Sequence, residues 1–535
     1  MQHFLPILLG VSLYQTIAIG SQPFARSSIE REESLSVLPR PCWVFFRDKG
    51  GPSAEAAAIA NLATTYNPRA IHRRQLRRTD AGLFDFRDLP IPSSHRDAVA
   101  QLAEIRVESR WNNAISVNAS QSQIDLIRQL PFVARVETVR VGRLAEGAVS
   151  CVEPSSAYSE RDFYGRSSAQ LSQIGINALH DRGFTGQGVV IGILDTGFHR
   201  VHNVFNNAAH PLNIIAERDF INNDNNTGIE AIDPPDQHTH GTLILSCIGS
   251  YLPGEMVGGA YDASFILCKT EVVPTETQIE EDYYAAGIEF IEFHGGDVAT
   301  SSLGYIDWYT QGDLDGHTAV TTIAINTATA NGLHCCTAAG NAGHDDNPTT
   351  SHLGAPADAL QVIACGATNI VGQITGFSSD GPSADGRVKP ELLACGRSTA
   401  CVDPNSVTAF ATASGTSLST PLVASAVACL VQAHPEWTVD QMREYLFASA
   451  SDQIANGQSD PLFIRGYGLT NALGAYLLDY CPADFNQDGG IDGSDVESFF
   501  LTWETGSSGA DTNEDGGVDG ADVERFFDVW SVGGC

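Results

Sequence analysis

GVVIGILDTGF, residues 188–198, carries no charge until it reaches Asp195. Antiparallel strands alternate apolar and polar residues because one face meets water, whereas a run that is apolar on both faces suits a parallel strand covered by helices on each side. The stretch therefore predicts a buried parallel strand that ends in the turn Asp195-Thr196-Gly197. Open parallel sheets gather their chemistry at the carboxyl ends of strands. An aspartate in a turn commonly does no more than bond its own backbone, so Asp195 gains chemical meaning only from partners elsewhere in the chain.

Two stretches supply such partners. DQHTHGTLILSCIGS at 236–250 sets His240 before Gly241 and an apolar helical pattern. His238 and His240 would share one face if this segment were a strand and would then suit a metal, but there is no HExxH spacing and no evident third ligand. ATASGTSLSTPLVASAVACLVQAH at 411–434 runs from small residues into Leu422, Val423, Ala426, Val427, Leu430 and Val431 at helical spacing. That pattern predicts a buried helix whose first turn holds Ser417 rigidly and whose amide end favours an anion there. Capping is the ordinary use of such a serine, and Ser414, Ser417 and Ser419 all qualify.

Asp195, His240 and Ser417 occur in the chain order found in subtilisin. Together GILDTGF (192–198), HGT (240–242) and SGTSLSTP (414–421) closely resemble the subtilase family of serine proteases, and SSLG (301–304), TAAGN (337–341), GFSSDGP (376–382) and KPELLACG (389–396) resemble its other recurring segments. The likeness runs from about Tyr164 to Leu478. It implies a three-layer α/β domain with a parallel sheet and a serine endopeptidase. Ser417 would be the nucleophile, His240 the general base and Asp195 the group that orients the imidazole. Asn341 would donate to the oxyanion beside the Ser417 backbone N–H. The segments Ser302, Leu303, Gly304 and Ala338, Ala339, Gly340 would border the substrate, which would add as an extended strand. Leu243 stands where the family commonly has a second His, and Cys395 where Pro is usual. A catalytically silent subtilase scaffold serving as a calcium-dependent docking or cell-surface protein is the alternative, although it has no need of all four site residues.

Outside these motifs the chain reads as further units. Of 535 residues, Phe4 to Gly20 form an apolar stretch broken only by Ser12, Gln15 and Thr16, which predicts a secretory signal peptide over 1–21 and a secreted or cell-surface protein. No later run suggests a membrane span. The formal charge is −34, yet residues 22–150 hold 18 of the 30 Lys and Arg but 14 of the 64 Asp and Glu, so that section is near +4 and the remainder near −38. A basic segment can bind nucleic acid, but beside so acidic a partner it can equally be that partner's intramolecular complement, and the acidic bulk argues against DNA or anionic lipid as ligand. Strand and helix signals alternate through CWVFFRDKG (42–50), the Ala-rich 53–63, WNNAISVNAS (111–120), SQIDLIRQL (122–130) and ARVETVRV (134–141). This resembles a subtilase propeptide, an α+β unit over 22–150 that would inhibit the catalytic domain of 151–480.

The tail, 481–535, repeats DFNQDGGIDGSD (484–495) as DTNEDGGVDGAD (511–522), and VESFF or VERFF follows each. Spacing fits an EF-hand-type calcium loop, with Asp484, Asn486, Asp488, the Gly490 carbonyl, Asp492 and Asp495 in the first and Asp511, Asn513, Asp515, Gly517, Asp519 and Asp522 in the second. Each unit reads as loop then helix and resembles a dockerin-type pair, which implies calcium and a cohesin-like or cell-surface partner. DFINNDNNTG at 219–228 is a weaker acidic stretch that suits a cation or a polar loop. Of twelve cysteines, Cys335, Cys336 and Cys429 read as core residues, whereas Cys395 with Cys401 and Cys481 with Cys535 flank short segments and are candidates to pair.

Overall fold

The run that begins at Gly188 forms the strand Val190–Asp195, buried at every residue. It lies inside a seven-stranded sheet ordered Leu392–Cys395, Ile363–Thr368, His334–Ala338, Val298–Ser301, Val190–Asp195, Ser264–Lys269, Asn213–Asp219. Every junction in it is parallel. The structure, a computed structural model, describes residues 39–138, 163–273, 279–486, 490–513 and 517–532. The predicted signal peptide and the join of the first two units lie outside them.

Parallel strands need long return connections, and the helices in those returns cover both faces of the sheet. Helices Ile279–Phe293 and Val320–Ala330 pack on one face and Thr239–Gly249 and Thr416–Ala433 on the other, each pair with its own apolar cluster. The result is the three-layer α/β domain expected from the sequence. Thr416–Ala433 is long and apolar enough to span a bilayer by composition, but 94% of it is buried inside the fold.

The N-terminal unit is a four-stranded antiparallel sheet ordered Glu104–Ser109, Ala114–Ala119, Arg40–Phe46, Val133–Thr138. The two-residue period of a strand explains why residues 42–46 of Arg40–Phe46 are buried on both sides. Cys42, Val44 and Phe46 face the unit's own helices, while Trp43 and Phe45 join Ala286 of the α/β domain. Charge complements this contact. The helix Pro68–Arg77 and its neighbours bring Arg74 Nε to 2.9 Å and Arg110 Nη2 to 3.0 Å from Glu292, with Arg73 also bonded and Tyr66 donating its hydroxyl. Arg106 meets Asp282 at 3.0 Å, and Arg69 and Arg77 share Asp297. Burial disfavours a charged Glu292, yet the three guanidiniums hold its carboxyl down at about 2. The opposite charges of the two sections are thus spent on one another.

In the tail, helices Gly493–Glu504 and Gly520–Val532 follow their acidic loops directly. Phe499 and Phe526 stack with centroids 4.4 Å apart at the centre of a small aromatic core. Trp503 Nε1 donates to the Asp519 carbonyl and Trp530 Nε1 to the Asp492 carbonyl, so each helix clasps the other repeat's loop.

The expected Cys395–Cys401 bridge is absent. Both are free, buried thiols. Cys395 ends a parallel strand, whereas Cys401 lies in the antiparallel ribbon that pairs 399–402 with 410–413, after a reversal through left-handed Ser398. Cys395 Sγ instead faces the Arg397 carbonyl at 3.6 Å. Cys481 is disulfide-bonded, and Cys535 lies outside the described residues.

The buried ion pairs predict how the units separate. Glu292→Gln leaves three arginines facing a neutral amide, and breaking a buried pair costs about 3–5 kcal/mol. The N-terminal unit should then be held at least about a hundredfold more weakly, measured by native mass spectrometry as its dissociation once the chain is cut with an added protease between 139 and 162. Retention equal to wild type would contradict the ion-pair account.

Candidate active site

Asp195, Ser302 and Ala338 stand at the carboxyl ends of three neighbouring strands of the sheet. His240 reaches them from the first turn of the helix Thr239–Gly249. Its Nδ1 lies 2.8 Å from Asp195 Oδ1, which also accepts the Thr196 amide at 2.7 Å. Thr196 Oγ1 accepts the Gly241 amide at 3.1 Å, tying the strand's end to the helix's start. A Cβ on residue 241 would sit 2.3 Å from the Gly197 carbonyl, so the glycine of HGT is required for space. His238 occupies the N-cap of this helix, which removes the strand-face geometry that a His238–His240 metal pair needed.

Asp195 is wholly buried and His240 partly exposed at its edge. Burial opposes the imidazolium, but the charge and hydrogen bond of Asp195 outweigh it and raise the His240 pKa above its ordinary value.

Ser417 begins the long buried helix behind Gly415. Pro421 lies four residues on and has no N–H to give, so the Ser417 carbonyl lacks its helical partner. It accepts the Ser302 hydroxyl instead, at 2.8 Å, while the Ser417 hydroxyl donates to the Ser302 carbonyl at 3.2 Å. Among the described residues no hydrogen bond joins Ser417 to His240, and the Ser417 hydroxyl is held by the Ser302 carbonyl. Asn341 Oδ1 accepts both the Thr416 amide, at 2.8 Å, and the Thr416 hydroxyl, at 3.0 Å. This orients the Asn341 amide nitrogen toward Gly415, whose ideal Cβ position is 3.5 Å away.

The flanking segments differ in access. Gly304 borders open space, Leu303 is half-buried, and Ser302, Ala338 and Ala339 are buried in support. Gly340 approaches Ser379 so closely that a Cβ would lie 2.7 Å from its hydroxyl. Thr416, Thr196 and Ser379 were not singled out from sequence, because small polar residues in glycine-rich turns look alike until their partners are known. The arginines of the first section were also missed, although Arg69, Arg73 and Arg77 repeat every four residues, the spacing of one helical face.

Of the tail positions, Asp488 and Asp515 lie outside the described residues. Asp495 is buried and accepts the amides of Asn486, at 3.0 Å, and Asp492, at 2.8 Å. Asp522 does the same for Asn513, at 3.2 Å, and Asp519, at 2.8 Å. Asp484, Gly490, Asp511 and Gly517 sit on the same loops. In the 219–228 stretch, Lys269 Nζ lies 2.8 Å from Asp219 and 2.8 Å from Asp233, so an ammonium already fills its centre.

A histidine held by a buried carboxylate, on a parallel α/β sheet that also seats a serine at a helix N-terminus, is the kind of arrangement serine hydrolases use. The Subtilase family profile matches residues 186–468, and that of the Peptidase S8 propeptide domain, Bacteroidota, matches 41–150. Subtilisin E of Bacillus subtilis (strain 168) is 30% identical over 330 residues, 60% of this chain and 76% of that protein. An alkaline protease of Alkalihalobacillus alcalophilus is 27% identical over 389 residues, 71% of this chain and 89% of that protein. The crystal structure of fervidolysin from Fervidobacterium pennivorans, described as a keratinolytic enzyme related to subtilisin, superposes with a TM-score of 0.58 at 19% identity. It covers 82% of this chain and 61% of that one, and at such identity it shows the shared fold. The chain belongs to the subtilase family: it is a subtilisin-like serine endopeptidase with an S8 propeptide domain, which implies peptide substrates and an intramolecular inhibitor.

The His240 ring should titrate above the ~6.5 of a free imidazole, and in Asp195→Asn its pKa should fall, as read from the ring resonances by NMR. Because the folded-state value is raised, the pair's contribution to stability is full below about pH 6.5 and fades as pH rises through the raised value. A titration unchanged by the substitution would refute the cause given.

Proposed function

We propose that the chain is made as a secreted zymogen whose catalytic domain cleaves peptide bonds through Ser417, His240 and Asp195. The observation that carries this reading is the 2.8 Å bond from His240 Nδ1 to buried Asp195, which leaves Nε2 as the basic nitrogen. Ser417 Oγ attacks the carbonyl carbon and gives its proton to His240. Asp195 holds the tautomer and steadies the imidazolium, which then protonates the leaving amine. The oxyanion is met by the Asn341 amide and the Ser417 N–H, at a helix end that favours negative charge. Substrate runs as a strand between 302–304 and 338–340. Units 1–21, 22–150, 151–480 and 481–535 would be signal peptide, propeptide, protease and tail.

Intact mass over time tests the core of this. Wild type should shed a fragment of roughly the first 120–150 residues beyond the signal, on the size of a small domain, while Ser417→Ala stays whole. A fluorophosphonate should then label Ser417 in the shortened chain. Whole chains from both and no label would overturn the assignment of Ser417.

For the tail we propose two calcium loops that suit a cohesin-like or cell-surface partner. Five oxygen-bearing side chains crowd each loop, and their repulsion makes folding of this small unit metal-dependent. Chelation of calcium from the Ser417→Ala chain should speed hydrogen exchange in 493–504 and 520–532 and leave 416–433 protected, since the latter helix belongs to a separate core. Equal protection with and without calcium would dismiss the loops as calcium sites.

A further inference from the structure

His434 closes the Thr416–Ala433 helix at the end opposite Ser417. It is only 9% exposed and lies flat on Trp437, with centroids 4.1 Å apart and planes 4° from parallel. Its Nδ1 stands 3.5 Å from Glu436 Oε1, and its Nε2 is buried without a hydrogen-bond partner. Asp479, the last residue of the helix Ala472–Asp479, lies close by, and its Oδ2 accepts Trp437 Nε1 at 2.7 Å. The Tyr445 hydroxyl bonds the same carboxylate. One ligand atom from each of His434, Glu436 and Asp479 lies within 4.8 Å of the other two.

Two carboxylates converge here on a single imidazole. Among the described residues, neither forms an ion pair with Lys or Arg. The contrast with Asp219, Asp224 and Glu230, the other acidic group of similar closeness, is direct: there Lys269 supplies the cation from within the chain. At His434 the nearby guanidinium is Arg77, bonded to the Pro435 carbonyl at 2.7 Å and paired with Asp297 rather than with Glu436 or Asp479.

We propose that His434, Glu436 and Asp479 bind a divalent transition-metal ion, Zn(II) by their chemistry, which ties the far end of the nucleophile's helix to the root of the tail. An imidazole with two carboxylates suits zinc and its neighbours, whereas calcium and magnesium take all-oxygen sets. With bonds of about 2.1 Å, tetrahedral ligands stand about 3.4 Å apart, and the Nδ1 to Oε1 separation is 3.5 Å. Water takes the fourth position. Trp437 and Tyr445 orient two of the ligands, one by stacking and both by hydrogen bonds, as groups around metal sites do.

The test uses the full-length Ser417→Ala chain with calcium saturating, so that the tail loops do not take the probe. Co(II) should bind once per chain with a visible d–d spectrum of tetrahedral intensity, be displaced by Zn(II), and Zn(II) should raise Tm. Glu436→Gln and Asp479→Asn change exposed residues and should keep the fold, yet each should weaken Zn(II) by at least about tenfold. His434→Asn should abolish the cobalt spectrum. Parent and Asp479→Asn chains binding Zn(II) equally, or a parent that binds none at micromolar concentration, would overturn the proposal.

Discussion

The close approach of two backbones governs the candidate active site. The end of the strand Val190–Asp195 and the start of the helix Thr239–Gly249 meet where a single added carbon at 241 would lie 2.3 Å from the Gly197 carbonyl. Only that approach lets His240 reach Asp195, and only a buried parallel strand holds Asp195 still enough to be reached. Ser417 depends on the same sheet from the other side. Pro421 frees the Ser417 carbonyl, Ser302 takes it, and the strand that leads to Ser302 is paired with the one that carries Asp195.

Charge is partitioned as economically as packing. A strongly acidic catalytic domain would leave Asp282, Glu289, Glu292 and Asp297 uncompensated, and the propeptide's arginines are placed on them. Apolar contact through Trp43 and Phe45 on the same face means that attachment of the N-terminal unit rests on both burial and ion pairing. The two respond differently to solvent: buried pairs resist screening by salt, while each becomes costly once its partner is removed.

Reciprocal use of one device recurs in the tail, where Trp503 and Trp530 stand 27 residues apart and each bonds the loop of the opposite repeat. The unit's core is small, with Phe499, Phe526 and Ala510 at its centre and valine and tryptophan side chains around them, and small units bury a smaller share of their surface. The His434 cluster sits just before this unit, where the last catalytic helix hands over to it.

By itself the sequence determined the class of fold and singled out the candidate site residues. An apolar run ending in Asp195, a histidine before a buried helix and a serine before another are local patterns, and local patterns reflect burial and backbone geometry that each segment imposes on itself. The propeptide's alternating elements and the tail's repeats were legible for the same reason. What only the tertiary structure decided is which groups meet. Thr416 orients Asn341, Ser302 receives Ser417, Cys395 and Cys401 stay apart, and Arg73, Arg74 and Arg110 gather on one glutamate. These partners lie as far as 219 residues from one another in the chain. No local preference encodes such meetings, because they are set by how whole elements pack.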